Sequence, residues 1–424
     1  MKIQALKRLI SDFQAQKPFD AKPRDFSLAL DTGKIITLAG VRRCGKTSIF
    51  YEAINGLCKA GKKKQVIFIN FEDERLDLAA SELGLILDAY LQLYPKQDLS
   101  QCYFFFDEIQ NILGWEKFVR RLYDTVSKKV FITGSNSKLL SSEIASSLRG
   151  RTLDFHIYPL SFVEFLRFRG LLADLKSSQN LALIQNAQDE FLRTSSFPEA
   201  CFLPPRLLTN LLQNYFQTLM CKDLQERYQV KNQLALKYFL KRIAASNAKQ
   251  LSIHKIYNEL KSLGIKIGKD ALYDFLEHAQ STGFSHLLPK YGNGAASKEW
   301  SEKKIYATDW GLASCLDFEE NLGKNLENAV YMELLKRGEE PCYYKDARGE
   351  CDFLLMRNER VYGALQVCWG LNDDNLKREL AGALLVARSF ELKSVLIITA
   401  HSRQKLEVGG VCVEVLPFFD WLLG

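Results

Sequence analysis

The first 168 residues alternate short apolar runs with longer stretches of helical periodicity. Residues 35–39, 66–71, 102–106, 130–133 and 153–157 are each of strand length and separated by helix-like segments, the pattern of a parallel sheet covered on both faces. Ligands of such sheets collect at the carboxyl ends of the strands. Beyond Leu160 this pattern stops. Phe162, Phe165 and Leu166, then Leu207, Leu211, Leu212, Tyr215, Phe216 and Leu219, recur at helical spacing and predict a helical lid over 169–230. Within 231–321, two apolar stripes (Ile253, Ile256, Leu260; Leu272, Phe275, Leu276, Ala279) followed by a strand pair predict a winged helix. The remainder, 322–424, reads as a helix over 326–337, strands at 350–356 and 361–369, a helix over 376–387 and a strand at 394–400. The predicted class is α/β, in four segments: a sheet module over 1–168, lid, winged helix and a C-terminal α/β module.

The loop after the first apolar run is Gly40-Val41-Arg42-Arg43-Cys44-Gly45-Lys46-Thr47, a full G-x-x-x-x-G-K-[ST] sequence between a strand and a helix. Two glycines let the backbone curl so that its N–H groups point at phosphates, and the following helix N-terminus adds partial positive charge. Lys46 neutralises phosphate charge and Thr47 offers a hydroxyl to Mg²⁺. The expected contacts to the nucleotide are Gly40, Arg43, Cys44, Gly45, Lys46, Thr47 and Ser48, with ATP and Mg²⁺ as ligands. The run 102–108 ends in two acids. Asp107 suits the Mg²⁺ shell and Glu108 suits polarising a water; kinases of small molecules usually lack the second acid, so hydrolysis is favoured. After 130–133 comes Gly134-Ser135-Asn136-Ser137, where Ser135 or Asn136 would sense the γ-phosphate if that strand lies between the other two. Arg149 or Arg151 could stabilise the transferring phosphoryl group, within the chain or across a subunit boundary. Glu72, Asp73 and Glu74 read as an exposed acidic loop rather than part of the metal shell.

Composition narrows the setting. At 424 residues, 47% hydrophobic and 12% aromatic, the chain supports about two to four cores. No run reaches about 18 apolar residues and no signal-peptide pattern opens the chain, which predicts a cytoplasmic protein without membrane contact. Ten cysteines without a C-x-x-C pair predict reduced thiols, neither disulfides nor zinc. Of a formal charge of +7, residues 231–310 hold thirteen Lys/Arg against seven Asp/Glu. That excess would suit nucleic acid, yet the candidate recognition helix starting at Lys269 carries Asp270, Asp274 and Glu277. DNA contact and protein contact both stay open there.

The order α-β-β-α-β in the last segment is that in which restriction-type nucleases set a helix glutamate, a strand aspartate and an E-x-K pair around Mg²⁺. Glu327 and Asp352 fit the first two places. The third reads Gln366-Val367-Cys368, an amide and a thiol where a carboxylate and a lysine belong. Cutting would need a lysine from elsewhere, such as Lys377, so an inactive scaffold that binds DNA or a partner is expected.

The phosphate loop, Phe-Asp-Glu-Ile-Gln at 106–110, Thr-Gly-Ser-Asn-Ser at 133–137 and Tyr158-Pro159-Leu160-Ser161-Phe162 together resemble a widespread, uncharacterised family of bacterial and archaeal AAA-type ATPases with a C-terminal PD-(D/E)XK nuclease-like domain. Tyr215 and residues 222–228, 306–312, 350–353 and 365–368 resemble that family's C-terminal half, so the likeness covers essentially the whole chain. It implies a STAND-like or AAA-like fold, ATP with Mg²⁺, and nucleotide roles for Gly40, Gly45, Lys46, Thr47, Asp107 and Glu108. It implies no substrate and leaves the oligomeric state open. Ser195-Ser196-Phe197-Pro198 stands where the family has Gly-Gly-Phe-Pro, a departure expected to alter the lid's approach to the nucleotide base. The functions in view are an ATPase acting as a conformational switch on DNA or a partner, a module that holds ATP without turnover, and an ATP-regulated nuclease.

Overall fold

The computed structural model describes residues 1–135, 147–171, 175, 177–292, 302–317 and 321–423. They gather into two units, Met1–Ile157 with Ser281–Gly283, and Tyr158–Gln280 with Phe284–Gly424.

In the first unit, β1 (Ile35–Ala39), β2 (Val66–Asn70), β3 (Tyr103–Asp107), β4 (Val130–Gly134) and β5 (Thr152–His156) form one sheet in the order β2-β3-β4-β1-β5. All its pairs are parallel. Every residue of β1, β3 and β4 is buried, whereas the edge strand β5 is partly exposed, as expected of a sheet covered on both faces. Alternation along β3 divides its aromatic rings. Phe104 and Phe106 enter a core with Leu6 and Ile10 of α1 (Lys2–Ala15), Ile86 and Tyr90 of α2 (Leu85–Leu93) and Phe118 and Leu122 of α3 (Glu116–Thr125). Phe105 faces the other way, 5.1 Å from the ring of Phe50 and 4.8 Å from that of Phe131. Burying each such ring stabilises the fold by about 1.5–3 kcal/mol.

The second unit opens with α4 (Phe162–Phe168), α5 (Ser178–Arg193) and α6 (Pro205–Thr218), the last running into a π-helical segment, Leu219–Glu226. Then come α7 (Gln233–Ala245), β6 (Lys249–Gln250), α8 (Ile253–Ser262), α9 (Lys269–Ser281), β7 (Ser285–Leu288) and β8 (Lys304–Ala307), with an antiparallel sheet in the order β6-β8-β7. After α10 (Trp310–Asp317) and α11 (Leu322–Lys336), β9 (Cys342–Asp346), β10 (Gly349–Arg357), β11 (Arg360–Val367), β12 (Ser394–Thr399), β13 (Gln404–Val408) and β14 (Val411–Pro417) make a six-stranded mixed sheet in the order β13-β14-β12-β11-β10-β9. α12 (Asp373–Ser389) crosses from β11 to its parallel neighbour β12, and α13 (Phe418–Leu423) ends the chain's described part. The anticipated α-β-β-α-β order is present, extended by β9, β13, β14 and α13.

The segments read from the sequence as lid, winged helix and C-terminal module share one core. Phe162 and Phe165, Phe191, Trp310, Val330 and Tyr331, Phe353 and Phe418 belong to a single buried cluster, so the first unit ends at Ile157, ahead of the boundary anticipated near residue 168. A short helix such as α4 cannot bury its apolar stripe alone, and its partners here are α5 and α13.

The Ser195-Ser196 turn lies inside this unit rather than presenting a polar surface. Asp309 accepts hydrogen bonds from the Ser195 hydroxyl (3.0 Å), the Ser196 hydroxyl and N–H (both 2.7 Å) and the Leu312 N–H (2.8 Å). Neither serine has a positive φ, so replacing glycines here forces no strain. The glycine that the turn does require is Gly311, where a Cβ would stand 1.9 Å from the Thr194 carbonyl oxygen. Among the described residues no helix is long and apolar enough to cross a membrane.

Candidate functional site

The phosphate loop leaves the carboxyl end of β1 and enters the helix Lys46–Lys59. Gly45 has φ 101°, a left-handed conformation that a side chain would strain. Gly40 is required for another reason: a Cβ there would stand 2.1 Å from the Ile157 carbonyl oxygen. No acidic residue occupies the helix's first turn and no side chain of the N-cap residue caps it, so this end of the helix favours an anion. The Lys46 ammonium donates to the carbonyls of Gly40 (3.0 Å) and Val41 (3.2 Å) and lies 3.6 Å from Glu108. Arg24 braces the loop from outside by donating to the Cys44 carbonyl at 2.6 Å.

β4 lies between β1 and β3, and this brings three strand ends together. The Thr47 hydroxyl donates to Asp107 at 2.9 Å, and the Thr133 hydroxyl, from β4, also donates to Asp107. Burial, reinforced by the neighbouring Glu108 charge, raises the Asp107 carboxyl to about 6 against the two hydroxyls and Lys46. Glu108 adopts a left-handed φ of 52°. Its carboxylate accepts from the Gln110 side-chain amide and, at 3.1 Å, from the Ser135 N–H. Burial opposes its ionisation, but Lys46 and Gln110 more than offset that and hold its acidity below the usual carboxylate value.

In the second unit, Glu327 on α11, Asp352 on β10 and Gln366 on β11 line one cavity of about 560 Å³, with Glu350, Lys345, Arg348, Arg378 and Glu379. Gln366 is fixed as an amide: its oxygen accepts the Asp352 N–H at 3.2 Å and its nitrogen donates to Glu379 at 2.9 Å. A lysine does reach the cluster, and it is Lys304 of β8, not Lys377. Its ammonium stands 2.8 Å from Glu350, 3.0 Å from Asp352 and 3.3 Å from Glu327. Burial and the Asp352 charge raise the Glu327 carboxyl well above the usual range.

Comparison with known proteins places these sites in a family. The chain is 34% identical to an uncharacterised protein of Methanocaldococcus jannaschii, MJ1544, over 98% of its own length and 94% of the relative's. It belongs to the same family. An uncharacterised protein of Haemophilus influenzae is 27% identical, covering 93% of this chain and 95% of that one. Residues 32–166 match the family model of an AAA domain, and residues 186–325 match a domain of unknown function (DUF8612). The first unit is therefore an AAA-type, nucleotide-binding P-loop domain of α/β class. Among solved structures, Cdc6p from Pyrobaculum aerophilum is similar at 14% identity and a TM-score of 0.25, over 79% of this chain and 93% of that chain; so slight a likeness bears no argument.

Within the family member's site, the anticipated residues divide. Lys46, Thr47, Asp107, Glu108 and Ser135 come together, whereas Asn136 lies outside the described residues. Arg151 is elsewhere: its carbonyl accepts from the Ile35 N–H at 2.9 Å, at the start of β1, and its guanidinium pairs with Asp124 of α3 at 2.8 Å. Arg149 stands two residues earlier, before the same strand start. A role for either arginine within its own subunit is thus corrected by the direction of the strands, which puts the phosphate loop at their opposite end. Of the acidic loop, Glu72 pairs with Arg42 at 2.6 Å and Asp73 with Arg75 at 2.7 Å. Gln110 and Lys304 were not anticipated as site residues. The spacing Lys304-x-Tyr306 held a signal, because alternate residues of a strand share a face, and Tyr306 also donates to Glu327, at 2.6 Å.

Proposed function

We propose that the first unit hydrolyses ATP and that the second unit is moved by, or responds to, that cycle. The observation carrying this is the placement of Glu108, hydrogen-bonded by the Ser135 N–H just beyond β4 and 3.6 Å from the Lys46 ammonium. Gly40, Arg43, Cys44, Gly45 and Ser48 would present backbone N–H groups to the phosphates, and Lys46 would hold the β- and γ-phosphate charge. Thr47 and Asp107 offer hard oxygen donors in contact with each other, which fits Mg²⁺. Bound there, Mg²⁺ would supply charge neutralisation on the β- and γ-phosphates. Glu108 would orient a water toward the γ-phosphorus and draw its proton as the bond to the bridging oxygen breaks, releasing ADP and phosphate. Asn136 remains a proposed γ-phosphate sensor, and Arg149 and Arg151 remain proposals only as contributions to a neighbouring subunit.

Steady-state hydrolysis by the purified protein, with and without duplex DNA and beside Lys46→Ala, tests this. Turnover absent from wild type under both conditions, with ATP still bound, would replace it with a nucleotide-held module awaiting a protein partner. A STAND-like switch would follow if hydrolysis altered the grip of the second unit on DNA or protein. The order α7-β6-α8-α9-β7-β8 supports a winged helix, and the gathering of Glu327, Asp352 and Gln366 at one cavity supports a nuclease-like scaffold. The amide commitment of Gln366 argues that this scaffold does not cut DNA; Mg²⁺- or Mn²⁺-dependent cleavage lost in Asp352→Ala would overturn that. Thiols kept reduced, Cys44 within the phosphate loop among them, would fit a cytoplasmic location.

A further inference from the structure

We propose that Lys304 is a tethered replacement for a divalent metal ion in the C-terminal cavity: its ammonium occupies the centre of the Glu327–Glu350–Asp352 cluster and excludes Mg²⁺ and Mn²⁺ from it. Three carboxyl groups converging within one partly buried site repel one another and lose hydration when ionised, so the ionised ones need a cation even with Glu327 raised well above the usual range. Here the chain provides that cation. Lys304 is 4% exposed, and one nitrogen reaches all three acids at 2.8–3.3 Å. Burial works against its charge, but Asp352, Glu327 and Glu350 more than offset this and keep the ammonium protonated.

Each of the three acids already has at least one oxygen engaged. Asp352 Oδ1 accepts from Lys304 and its Oδ2 from the Val367 N–H at 3.1 Å. Glu327 Oε1 accepts from Lys304 and from the Tyr306 hydroxyl. Glu350 Oε1 faces Lys304 and its Oε2 faces Lys345 at 3.0 Å. The Gln366 oxygen holds a backbone N–H. An ammonium fixed on β8 also competes at a high effective concentration, whereas Mg²⁺ gives up its water reluctantly.

The test is made on full-length, nucleotide-free protein with MnCl₂ as the probe, comparing wild type, Lys304→Met, Asp352→Asn and the double variant Lys304→Met/Asp352→Asn. Any Mn²⁺ held by the phosphate-loop unit is common to all four and cancels. Expected is one additional Mn²⁺ per chain in Lys304→Met, counted from the loss of the free-ion electron paramagnetic resonance signal. Its thermal midpoint should also rise by roughly 3–6 °C at saturating Mn²⁺. Wild type, Asp352→Asn and the double variant should show neither effect. If Lys304→Met folds poorly, Mn²⁺ should rescue it, and failure to rescue counts against the proposal. A folded Lys304→Met that gains no Mn²⁺ overturns it, as does wild type binding Mn²⁺ in a manner lost in Asp352→Asn.

Discussion

A carboxylate that must hold a metal yet lies buried beside another acid is reluctant to ionise, and Asp107 is raised to about 6 for that reason. Mg²⁺ would have to displace a proton below that value, so Mg²⁺-dependent ATP affinity should fall as pH drops through 6, approaching about tenfold per further unit. Calorimetric titration of ATP with Mg²⁺ between pH 5 and 7.5 reads this directly, and a flat profile would remove Asp107 from the metal's shell. In nucleotide-free protein the same raised value contributes stability below about 4, lost as pH rises through about 6. Glu108 makes a separable prediction. Glu108→Gln should retain ATP binding and lose about 10²–10⁴-fold in turnover; unchanged turnover would assign the water to another group. Gly40→Ala would press a methyl group against the Ile157 carbonyl at 2.1 Å and should lower stability by about 1–3 kcal/mol, visible as a fall in denaturation midpoint.

At the scale of elements, the decisive fact is that β4 lies between β1 and β3. A parallel strand in that place delivers Thr133 and Ser135 to the two acids, and it also sends the chain back to begin β5 at the far edge. Five residues span about 13 Å at roughly 3.3 Å per step, so Arg149 and Arg151 are a full strand away from the loop after β1. Arg149→Ala and Arg151→Ala should therefore leave turnover unchanged at high dilution. A loss there would require an arrangement other than this sheet, while a loss confined to high protein concentration would reveal a contribution to a neighbouring subunit. The Ser195–Ser196 turn makes the complementary case, in which the polar residues of a turn are interior. Removing Asp309 as Ala would leave buried hydroxyl and N–H donors unpaired, at a cost of about 2–5 kcal/mol, measurable by urea denaturation.

For the whole molecule, the core of the second unit decides what can be separated from what. Trp310 packs on Phe191 with ring centroids 4.8 Å apart, and the Gln188 side chain bonds both the Ala400 carbonyl and the Phe419 N–H, at 2.8 and 2.9 Å. Ending the chain at residue 321 would strip α11 and the six-stranded sheet from that core. The product should bind a hydrophobic dye and be digested rapidly between residues 158 and 321, as followed by limited proteolysis; a protease-resistant fragment over that range would mean that the helices carry a core of their own.

The succession of elements along the chain, the phosphate loop and the paired acids were legible in the sequence because each is local: a period of two or 3.6, eight consecutive positions, two adjacent residues. The run 102–106 reads as a buried strand followed by two acids from its unbroken apolar pattern, and α/β class follows from the alternation. Tertiary structure alone decided which distant residues meet. The Ser135 N–H meets Glu108, Arg24 meets Cys44, and Lys304 meets acids 23 to 48 positions away. It also decided that Arg151 faces Asp124 and that 158–168 belong with the second unit. Periodicity tells which face of an element is apolar; which partner covers that face, and which charge answers a buried charge, depends on chain segments brought together only by folding.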